Sequence, residues 1–561
     1  MAWRPRILMA LASGLLLAAA GCTPNNPEPD VVLDLLRQDW GNTPGVTPDG
    51  GGLRVAATSR TIVEQDGGGG QPNPPLNLAG THLEAKGDFT LSATLTDVTA
   101  DATWSVYDSP PVIADEFRIE PAGVRLTLRG NELDIAVFDG SRQKTATALR
   151  PAHEERVTLQ DPDTELSVRR AGDRLEVAGG GKTLLSQPLQ GVFGSGQLWL
   201  GLASDAGTFQ VSSLTATAPE GSPLTAAGPA VEQAAAAEDG LQALAGRIRP
   251  GFRIGAAVAL GPLASDPDYG RVLVGNFGAI TPENAMKAQN ISPQQGVYTF
   301  GEADAILAVA ESKDLAVHGH TIAFTEAMPR WMQDLPAGTD AERRSSATAL
   351  LDYVAAVVTH FKGRLDSLDV VNEPFGTDQG TGLQENIWYR VFGPGYPAVV
   401  SRAVYDADPD VKQFINENGA DVPGPRQDAL LRLALDTNAR GGHIYGVGLQ
   451  AHVYNLDTDA IPARDLARTL RTFQDAGLFV RISENDVVDD DGTEAQAQQY
   501  AAVVETCLRS SACVSYTTWG VDNRYDWLID DDGSLQQGHD YLFENGQPTA
   551  PYHAVRKVLG G

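Results

Sequence analysis

The 561-residue sequence predicts an α/β protein in which an N-terminal all-β sandwich precedes a C-terminal (β/α)8 TIM barrel. Between residues 78 and 218, short runs alternate apolar and polar residues and are broken by glycine and aspartate, a pattern typical of antiparallel strands. From residue 241 to 561, apolar strand-like runs alternate instead with amphipathic helical stretches. Eight strand candidates separated by such stretches fit the repeating βα unit of a TIM barrel.

The N-terminus has the pattern of a targeting segment. Arg4 and Arg6 precede an apolar run, Ile7–Ala20, which is too short for a confident membrane span. The residues before Cys22 resemble a bacterial lipoprotein signal, with Ala19 where leucine is usual, so we expect residues 1–22 to be a signal peptide ending at a lipidated Cys22. The protein would then be exported and lipid-anchored at the bacterial cell surface or outer membrane. Without lipidation it would be secreted with a free cysteine.

Two segments have the composition of connectors. Residues 23–77 are rich in proline, glycine, asparagine and aspartate and predict a flexible tether, with one short strand possible at Leu53–Ala57. Residues 219–240 contain several prolines and glycines and an alanine run, and they predict a linker. The first barrel helix could begin within this linker, from Ala234.

The segment between the connectors, residues 78–218, predicts the sandwich. One clear hairpin runs from Leu166 to Val177 and turns at residues 171–173. The pattern loosely resembles the concanavalin-like jelly rolls, many of which bind glycans by stacking aromatic side chains on sugar rings. Trp104 and Tyr107 are candidates for such stacking, whereas Trp199 lies in an apolar strand and is expected in the core. A carbohydrate-binding domain and a purely structural spacer both remain open.

Residues 241–561 predict the barrel. Helical stretches are expected at 303–313, 347–360 and 495–508. The eight predicted strands, in order, are Arg253–Val258, Val274–Ile280, Leu315–Ile322, Ser367–Pro374, Val411–Asn416, Ile444–Val453, Leu478–Val487 and Val514–Val521.

The composition narrows the class of partner. The chain has 72 Asp plus Glu against 42 Lys plus Arg, a formal net charge of −30. Such a charge argues against nucleic acid as a partner, because phosphates require a basic surface. It suits an exported protein acting on a neutral polymer, and solubility alone would explain it equally well. None of the three cysteines forms a CxxC pair, which argues against a thiolate zinc site. Export to an oxidising compartment would make a disulfide between Cys507 and Cys513 plausible.

Most of the predicted barrel strands end in polar residues. The carboxyl ends of parallel barrel strands meet on one face, where barrel enzymes hold their active sites. The segments that end these strands are Thr281–Lys287 after the second strand, Gly319–Ile322 after the third, Asn372–Pro374 after the fourth, Gly448–His452 after the sixth, Ile482–Asp486 after the seventh, and Thr518–Asp522 with nearby Trp527 after the eighth.

Taken together and in this order, these segments resemble glycoside hydrolase family ten, the retaining endo-1,4-β-xylanases, over about residues 241–561. The resemblance implies cleavage of β-1,4-xylan by double displacement, with Glu373 as acid/base and Glu484 as nucleophile. Retaining enzymes need two such carboxyl groups roughly 5–5.5 Å apart, and strands four and seven can bring them together despite their distance in sequence. This chemistry requires no metal and no organic cofactor. The expected partner is therefore the polysaccharide, and the oligomeric state is not encoded in these motifs.

The resemblance also implies supporting roles. Asn372 would bind the sugar 2-hydroxyl, and His452 and Asp486 would orient Glu484 and keep it ionised. Gln450, two residues before His452, would point into the same bowl. The family pattern further implies a disulfide between Cys507 and Cys513. Expected substrate-binding side chains are Glu283, Asn284, Lys287 and His320 on the non-reducing side, and Trp519 and Trp527 as flat apolar surfaces under the sugar rings. For His320 and the two tryptophans, a structural role in the core is the alternative.

The sequence departs from the family pattern only in the groove. Phe324 and Thr325 stand where the family has tryptophan and histidine, and Ala327 replaces a glutamine. Ala288 and Asn418 stand in place of a tryptophan and another aromatic residue. These departures leave two alternatives open: a related barrel β-glycanase acting on another β-linked glycan, and a surface glycan-binding protein whose barrel has lost activity.

Overall fold

The computed structural model describes residues 31–36, 46–56, 80–85, 87–108, 112–114, 117–119, 121–139, 144–145, 148–149, 151–189, 191–193, 197–204, 207–219, 222, 224–227, 234–376, 380–489, 493–525 and 540–561. Cys22 and Trp527 lie outside these residues. Among the described helices, none is long and apolar enough to cross a membrane.

The N-terminal region is all-β. Its strands are β1 (Val31–Asp34), β2 (Val46–Asp49), β3 (Gly52–Ala56), β4 (Gly80–Ala85), β5 (Phe89–Thr96), β6 (Ala102–Tyr107), β7 (Val112–Ala114), β8 (Phe117–Ile119), β9 (Gly123–Arg129), β10 (Glu132–Phe138), β11 (Lys144–Thr145), β12 (Ala148–Leu149), β13 (His153–Thr158), β14 (Glu165–Ala171), β15 (Arg174–Gly179), β16 (Lys182–Pro188), β17 (Gln197–Ala203), β18 (Thr208–Ala218) and β19 (Leu224–Ala227).

These strands form two antiparallel sheets around one apolar core. The first sheet has the order β16-β15-β14-β5-β18-β3-β2, with β1 also paired to β18, and the second has the order β13-β10-β9-β6-β17-β4-β19. Alternation along each strand turns one face inward, as in β5, where Phe89, Leu91 and Ala93 are buried and the residues between them are half-buried. The inward faces of both sheets share one buried cluster. The predicted sandwich is therefore present.

Both predicted connectors contribute strands to the sandwich, which corrects their boundaries. Strand β3 pairs with β18 and β2 pairs with β3, while β1 pairs with the other half of β18. In the predicted linker, β19 pairs with β4. The helix expected from Ala234 begins only at Leu241. Edge pairings of this kind join residues far apart in sequence, so composition alone predicted a tether.

The candidate sugar-stacking residues of the sandwich are buried. Trp104 and Tyr107 are both 0 % exposed. Trp104 belongs to the core between the sheets, and Tyr107 stacks on Trp199 with ring centroids 6.0 Å apart. The prediction that Trp104 and Tyr107 present free faces to a glycan is wrong, because both rings are covered by protein. Trp199 is buried, as predicted.

The C-terminal region alternates helices and strands. Its elements are α1 (Leu241–Ile248), β20 (Arg253–Val258), α2 (Leu260–Ser265), α3 (Pro267–Asn276), β21 (Ala279–Pro282), α4 (Ala288–Ile291), α5 (Gly301–Lys313), β22 (Ala316–Gly319), β23 (Ala323–Phe324), α6 (Arg330–Gln333), α7 (Asp340–Phe361), β24 (Ser367–Asn372), α8 (Ile387–Phe392), α9 (Tyr396–Ala407), β25 (Lys412–Glu417), α10 (Pro425–Ala439), β26 (Ile444–Leu449), β27 (His452–Val453), α11 (Ala463–Asp475), β28 (Phe479–Val487), α12 (Glu494–Arg509), β29 (Cys513–Thr518), β30 (Phe543–Glu544), β31 (Gln547–Pro548) and α13 (Ala550–Val558).

Eight parallel strands close into a barrel. The order around the ring is β20, β21, β22, β24, β25, β26, β28 and β29, and β29 pairs back to β20. These are the first to eighth barrel strands, and the carboxyl ends of all eight lie on one face. The (β/α)8 TIM barrel predicted from the sequence is therefore confirmed.

One barrel strand was misplaced by the sequence pattern. The second strand was expected at 274–280, but residues 267–276 form helix α3 and the strand covers Ala279–Pro282. The Asp266 side chain caps α3 by accepting hydrogen bonds from the backbone amides of Asp268 and Tyr269, and Pro267 starts the helix. The apolar residues at the end of α3 resemble a strand in composition, which is why a strand was predicted there.

A disulfide joins Cys507 on α12 to Cys513 at the start of the eighth barrel strand, with Cα atoms 5.2 Å apart. Both cysteines are buried. The predicted pairing is confirmed, and it fixes the short connection between the last large helix and the last barrel strand.

Candidate active site

The fourth barrel strand carries Glu373 into the bowl at the barrel's carboxyl end. The five residues Leu368–Asn372 are buried, and Glu373 follows with φ 48°. This left-handed conformation is uncommon for a residue with a side chain and is found repeatedly at active sites. The Glu373 amide donates to the Asn416 carbonyl at 2.9 Å, which holds the turn in place.

Two amides bind the Glu373 carboxyl group. Its Oε1 accepts from Gln450 Nε2 at 2.8 Å and from Asn372 Nδ2 at 3.3 Å. Burial raises the pKa of Glu373 above its ordinary value, against the effect of the Gln450 hydrogen bond, and the negative charge of Glu484 raises it further. Glu373 is therefore the carboxyl group suited to hold and donate a proton.

The seventh barrel strand carries Glu484, which is 4 % exposed. Its Oε1 accepts from Asn416 Nδ2, and its Oε2 lies 3.2 Å from His452 Nε2. Burial alone would raise its pKa, but the hydrogen bond from His452 and the charges of His320 and His452 outweigh burial and lower the pKa of Glu484 below its ordinary value. Glu484 is therefore held as a carboxylate.

His452 and Asp486 stabilise the negative charge of Glu484. His452 Nδ1 lies 2.7 Å from Asp486 Oδ1, so the imidazole is placed between two carboxylates. Burial disfavours the charged imidazole, yet Asp486 and Glu484 together raise the pKa of His452 to about 10. At neutral pH, the imidazolium donates one hydrogen bond to each carboxylate.

Asn416 connects the two candidate catalytic groups, a role that the sequence motifs do not predict. It lies at the end of the fifth barrel strand and is fully buried. Its Nδ2 donates both to Asn372 Oδ1 at 2.8 Å and to Glu484 Oε1, while its Oδ1 accepts from Ser483 Oγ. Hydrogen bonds thus run without a break from Glu373 through Asn372 and Asn416 to Glu484. The sequence feature that could have indicated this role is the polar end of the fifth strand, Asn416–Asn418.

The predicted non-reducing-side residues lie on the second and third barrel strands or the loops after them. Glu283 and Lys287 are nearly buried, and Asn284 Nδ2 donates to Glu283 Oε1 at 3.0 Å. His320 Nδ1 donates to Asp369 Oδ2 at 2.9 Å, and Trp519 meets the His320 ring edge-on at 5.2 Å. Trp519 also approaches His452 edge-on at 6.5 Å, which places it beside the catalytic network.

The residues that depart from the family pattern contact other groove residues. Phe324 is 8 % exposed, and the Lys287 ammonium lies 5.8 Å from its ring centroid. Thr325 Oγ1 accepts from Asn386 Nδ2 at 2.9 Å. Ala288 and Ala327 are buried. Phe324 therefore provides an aromatic surface smaller than that of the tryptophan usual at its position, whereas Ala288 provides no aromatic surface.

An ion pair between the partly buried Arg426 and the buried Glu417 fixes the loop after the acid/base candidate. Arg426 Nη2 donates to Glu417 Oε1 at 2.8 Å, and its Nη1 donates to the carbonyls of Gly376 and Gly380. The Phe375 amide donates to Glu417 Oε2 at 3.3 Å. This pair anchors the chain that follows Glu373 to the fifth barrel strand.

The arrangement as a whole has one carboxyl group favoured in its protonated form and one held as a carboxylate, facing the same bowl. Retaining glycosidases use this division, in which one group protonates the leaving oxygen and the other attacks the anomeric carbon. In the described part of the chain, no group of three or more His, Cys, Asp or Glu side chains is placed to hold a metal ion.

Comparison with known proteins gives the same assignment. Endo-1,4-beta-xylanase 1 of Gibberella zeae is 31 % identical over 264 residues, covering 45 % of this chain and 73 % of the relative. The crystal structure of xylanase 10B from Thermotoga maritima matches with a TM-score of 0.52 and 29 % identity, covering 57 % of this chain and 98 % of that one. Xylanase 10B from Thermotoga petrophila, solved with xylobiose, matches with a TM-score of 0.52 and 28 % identity over 57 % of this chain and 97 % of its own. The family model described as Glycosyl hydrolase family 10 matches residues 243–558. With its catalytic carboxyl candidates at the ends of the fourth and seventh strands of this barrel, the chain belongs to glycosyl hydrolase family 10.

Proposed function

We infer that the protein is a retaining endo-1,4-β-xylanase. The observation that carries this inference is the pair Glu373 and Glu484, whose pKa values are displaced in opposite directions and whose carboxyl groups are joined through Asn372 and Asn416. Relatives named as endo-1,4-β-xylanases support xylan as the substrate. A structural neighbour solved with xylobiose agrees with this.

In the first step, the Glu484 carboxylate attacks the anomeric carbon while Glu373 gives its proton to the glycosidic oxygen. The bond between the anomeric carbon and that oxygen breaks, the sugar beyond it leaves, and an ester forms with Glu484. In the second step, Glu373, now ionised, takes a proton from water as the water attacks the anomeric carbon. The ester breaks, and both carboxyl groups return to their starting states with the anomeric configuration retained.

A polymer screen with product stereochemistry tests this function. We expect hydrolysis of xylan to oligosaccharides by cleavage within the chain. Proton NMR at early times should show that the first product is the β-anomer, before mutarotation sets in. Turnover on mixed-linkage glucan, cellulose or mannan without turnover on xylan would reassign the substrate, an outcome for which Ala288 and Asn418 leave room. An inverted first product would contradict the roles of both carboxyl groups. No turnover on any polymer would favour a glycan-binding protein.

Asp486→Asn is expected to move the acid limb of the kcat/KM profile on xylan to higher pH. Glu484 must be ionised to attack, so activity falls as the pH drops through its lowered pKa. The substitution removes the charge that most strongly raises the pKa of His452, so the pKa of His452 should fall. Glu484 then loses part of the positive charge that lowers its own pKa, and that pKa should rise. The acid limb should move up by roughly one pH unit.

The pH profile separates this role from a structural one. Asp475→Asn, an exposed substitution at the end of α11, is the matched control and should leave the profile in place. A uniform loss of activity at every pH, with an unmoved acid limb, would show that Asp486 only supports the fold.

We further propose that Cys22 is lipidated and that the enzyme is anchored at the cell surface or outer membrane. The support is the sequence before Cys22, with its basic start and apolar run. Metabolic labelling with a fatty-acid precursor should label the mature protein and not its Cys22→Ser variant. An unlabelled wild-type protein would leave secretion as the mode of export.

A further inference from the structure

The sixth barrel strand bends sharply between two residues that bind the catalytic carboxyl groups. Strands β26 and β27 are separated by Gln450 and Ala451, and Ala451 has φ 60°. Alanine rarely adopts this left-handed conformation, because its Cβ then crowds the backbone. On one side of Ala451, Gln450 binds Glu373. On the other side, His452 binds Glu484.

The neighbouring seventh strand carries an extra residue opposite this bend. Leu449 pairs with Ile482, and His452 pairs with Asp486, so between these pairs the seventh strand has one residue more than the sixth. The pairing with the eighth strand shifts over the same stretch. Such a β-bulge redirects side chains and is common beside active sites. This bulge contains Glu484 itself.

Asn485 lies within the bulge and binds the bend in the sixth strand. Its Nδ2 donates to the Ala451 carbonyl oxygen at 2.7 Å, and its Oδ1 accepts from the Tyr516 hydroxyl at 2.8 Å. All three residues are fully buried. Because these groups are closed off from solvent, each hydrogen bond is costly to leave unmade. The Asn485 amide is thus fixed by Tyr516 on the eighth strand and holds the sixth.

The amide group of Ala451 is bound as well. It binds the carboxyl group of Asp421, a buried residue in the loop after the fifth strand. The bend is therefore held through its N–H from the fifth-strand side and through its carbonyl from the seventh strand. Both hydrogen bonds act on the backbone between Gln450 and His452.

The backbone of the candidate nucleophile is joined to the same bend. The Glu484 amide donates to the Gln450 carbonyl at 3.1 Å. A movement of the bend would therefore displace Gln450, His452 and Glu484 together.

We propose that Asn485 is a positioning residue for both catalytic carboxyl groups. Oriented by Tyr516, it holds the left-handed bend at Ala451. The bend in turn directs Gln450 and His452 to their separate partners. The proposal rests on the endo-xylanase function inferred above.

Loosening the bend should raise the pKa of both carboxyl groups. The Gln450 hydrogen bond lowers the pKa of Glu373, and the His452 hydrogen bond lowers that of Glu484. Glu373 acts while protonated, so a higher pKa moves the alkaline limb of the kcat/KM profile to higher pH. Glu484 acts while ionised, so a higher pKa moves the acid limb in the same direction. Both limbs should therefore move up together.

The other charged groups near the carboxyl groups and the bend stay in place when Asn485 is substituted. They are Glu326, Glu417, His320, Asp369, Arg481, Asp486 and Asp421. A shift of both limbs in an Asn485 variant therefore reports the bend and not a lost charge.

Asn485→Ala removes the hydrogen bond to the bend. We expect kcat/KM on xylan at the pH optimum to fall roughly 10–100-fold, as for a buried hydrogen bond whose partner is left unsatisfied. Both limbs should move up by roughly half a pH unit. Tyr516→Phe leaves the Asn485 amide in place without its hydroxyl partner, and it should give the same shifts with a loss of about threefold. Circular dichroism and the melting temperature establish that each variant is folded.

Ala451→Gly gives a more specific readout. Glycine adopts φ 60° without crowding, so the bend then depends less on Asn485. In the Ala451→Gly background, the loss caused by Asn485→Ala should be smaller by a factor of about three or more. Asn438→Ala is the matched control, because the Asn438 side chain binds both backbone groups of Ile444 at the opposite end of the same strand. It should leave the pH profile in place.

The outcomes separate this inference from the function beneath it. An equal loss from Asn485→Ala with and without Ala451→Gly would overturn the positioning role, as would a loss at every pH with both limbs unmoved. If Asn485→Ala does not fold, the two limbs in Tyr516→Phe decide in the same way. A wild-type enzyme inactive on both xylan and an aryl xylobioside would overturn the endo-xylanase function itself.

Discussion

Replacing Glu484 with alanine is expected to lower kcat on xylan by on the order of 10⁵–10⁶-fold, the size of effect seen when a covalent nucleophile is removed. The Glu484 carboxylate is buried and held by Asn416 and His452, and alanine has no oxygen with which to attack the anomeric carbon. The measurement is release of reducing sugar from xylan at high enzyme concentration. Circular dichroism and the melting temperature establish that the variant is folded.

Rescue by a small anion gives this prediction a second and more specific readout. With the carboxylate gone, azide can enter the space that it occupied and attack an aryl xylobioside from the same face. The product should be the α-glycosyl azide, inverted relative to the substrate. No azide product, together with a kcat close to that of the wild type, would show that Glu484 is not the nucleophile.

Glu373→Gln is expected to reduce kcat/KM on xylan by about 10²–10⁴-fold, which is typical for loss of a general acid. Glutamine keeps the size of the side chain and its contact with Gln450 but cannot donate an acidic proton to the glycosidic oxygen. The loss should be much smaller on an aryl xylobioside with a good leaving group, because such a group needs little protonation. The measurement is therefore the ratio of the two losses.

The variant should also lose the alkaline limb of its pH profile on xylan, the substrate whose leaving oxygen needs the proton. In the wild-type enzyme, burial and the charge of Glu484 raise the pKa of Glu373, and activity falls as the pH rises through that value. Glutamine does not titrate, so this fall should vanish. Equal losses on polymer and aryl substrate, with the alkaline limb unchanged, would assign the proton to another group.

Much of the barrel was predictable because its strands are apolar runs, most of which end in polar residues. The first predicted strand, Arg253–Val258, has the observed bounds, and the fourth differs only at its end. The second was misplaced because helix α3 ends in apolar residues and is fixed by the Asp266 cap, a local hydrogen bond that apolar periodicity does not record. Periodicity thus located the strands better than the short helices between them.

Within the predicted connectors, β3 lies where a short strand was considered possible, but β1, β2 and β19 were missed, for a different reason. Strand β2 is half-buried at Val46 and otherwise exposed, and Val32 in β1 is 62 % exposed. Such strands are held by backbone hydrogen bonds to β3 and β18, and they carry little of the apolar alternation from which strands are predicted.

The candidate site was predicted in its residues but not in its electrostatics. The motifs located Glu373, Glu484, His452 and Asp486, yet they could not show that Asn416 joins the two carboxyl groups. Opposite pKa displacements depend on burial and on distances between strands that are far apart in sequence. The aromatic candidates of the sandwich failed similarly, because the sequence does not show which face of a strand is covered.

If Cys22 is lipidated, as we propose, the pairing of β1 with β18 limits the distance between the sandwich and the membrane. If a lipid at Cys22 holds the chain, only nine peptide steps separate the anchor from Val31, a span of at most about 30 Å. A tether running to residue 77 would have allowed roughly 190 Å. With a lipid at Cys22, the sandwich would therefore be held much closer to the membrane than a tether running to residue 77 would allow.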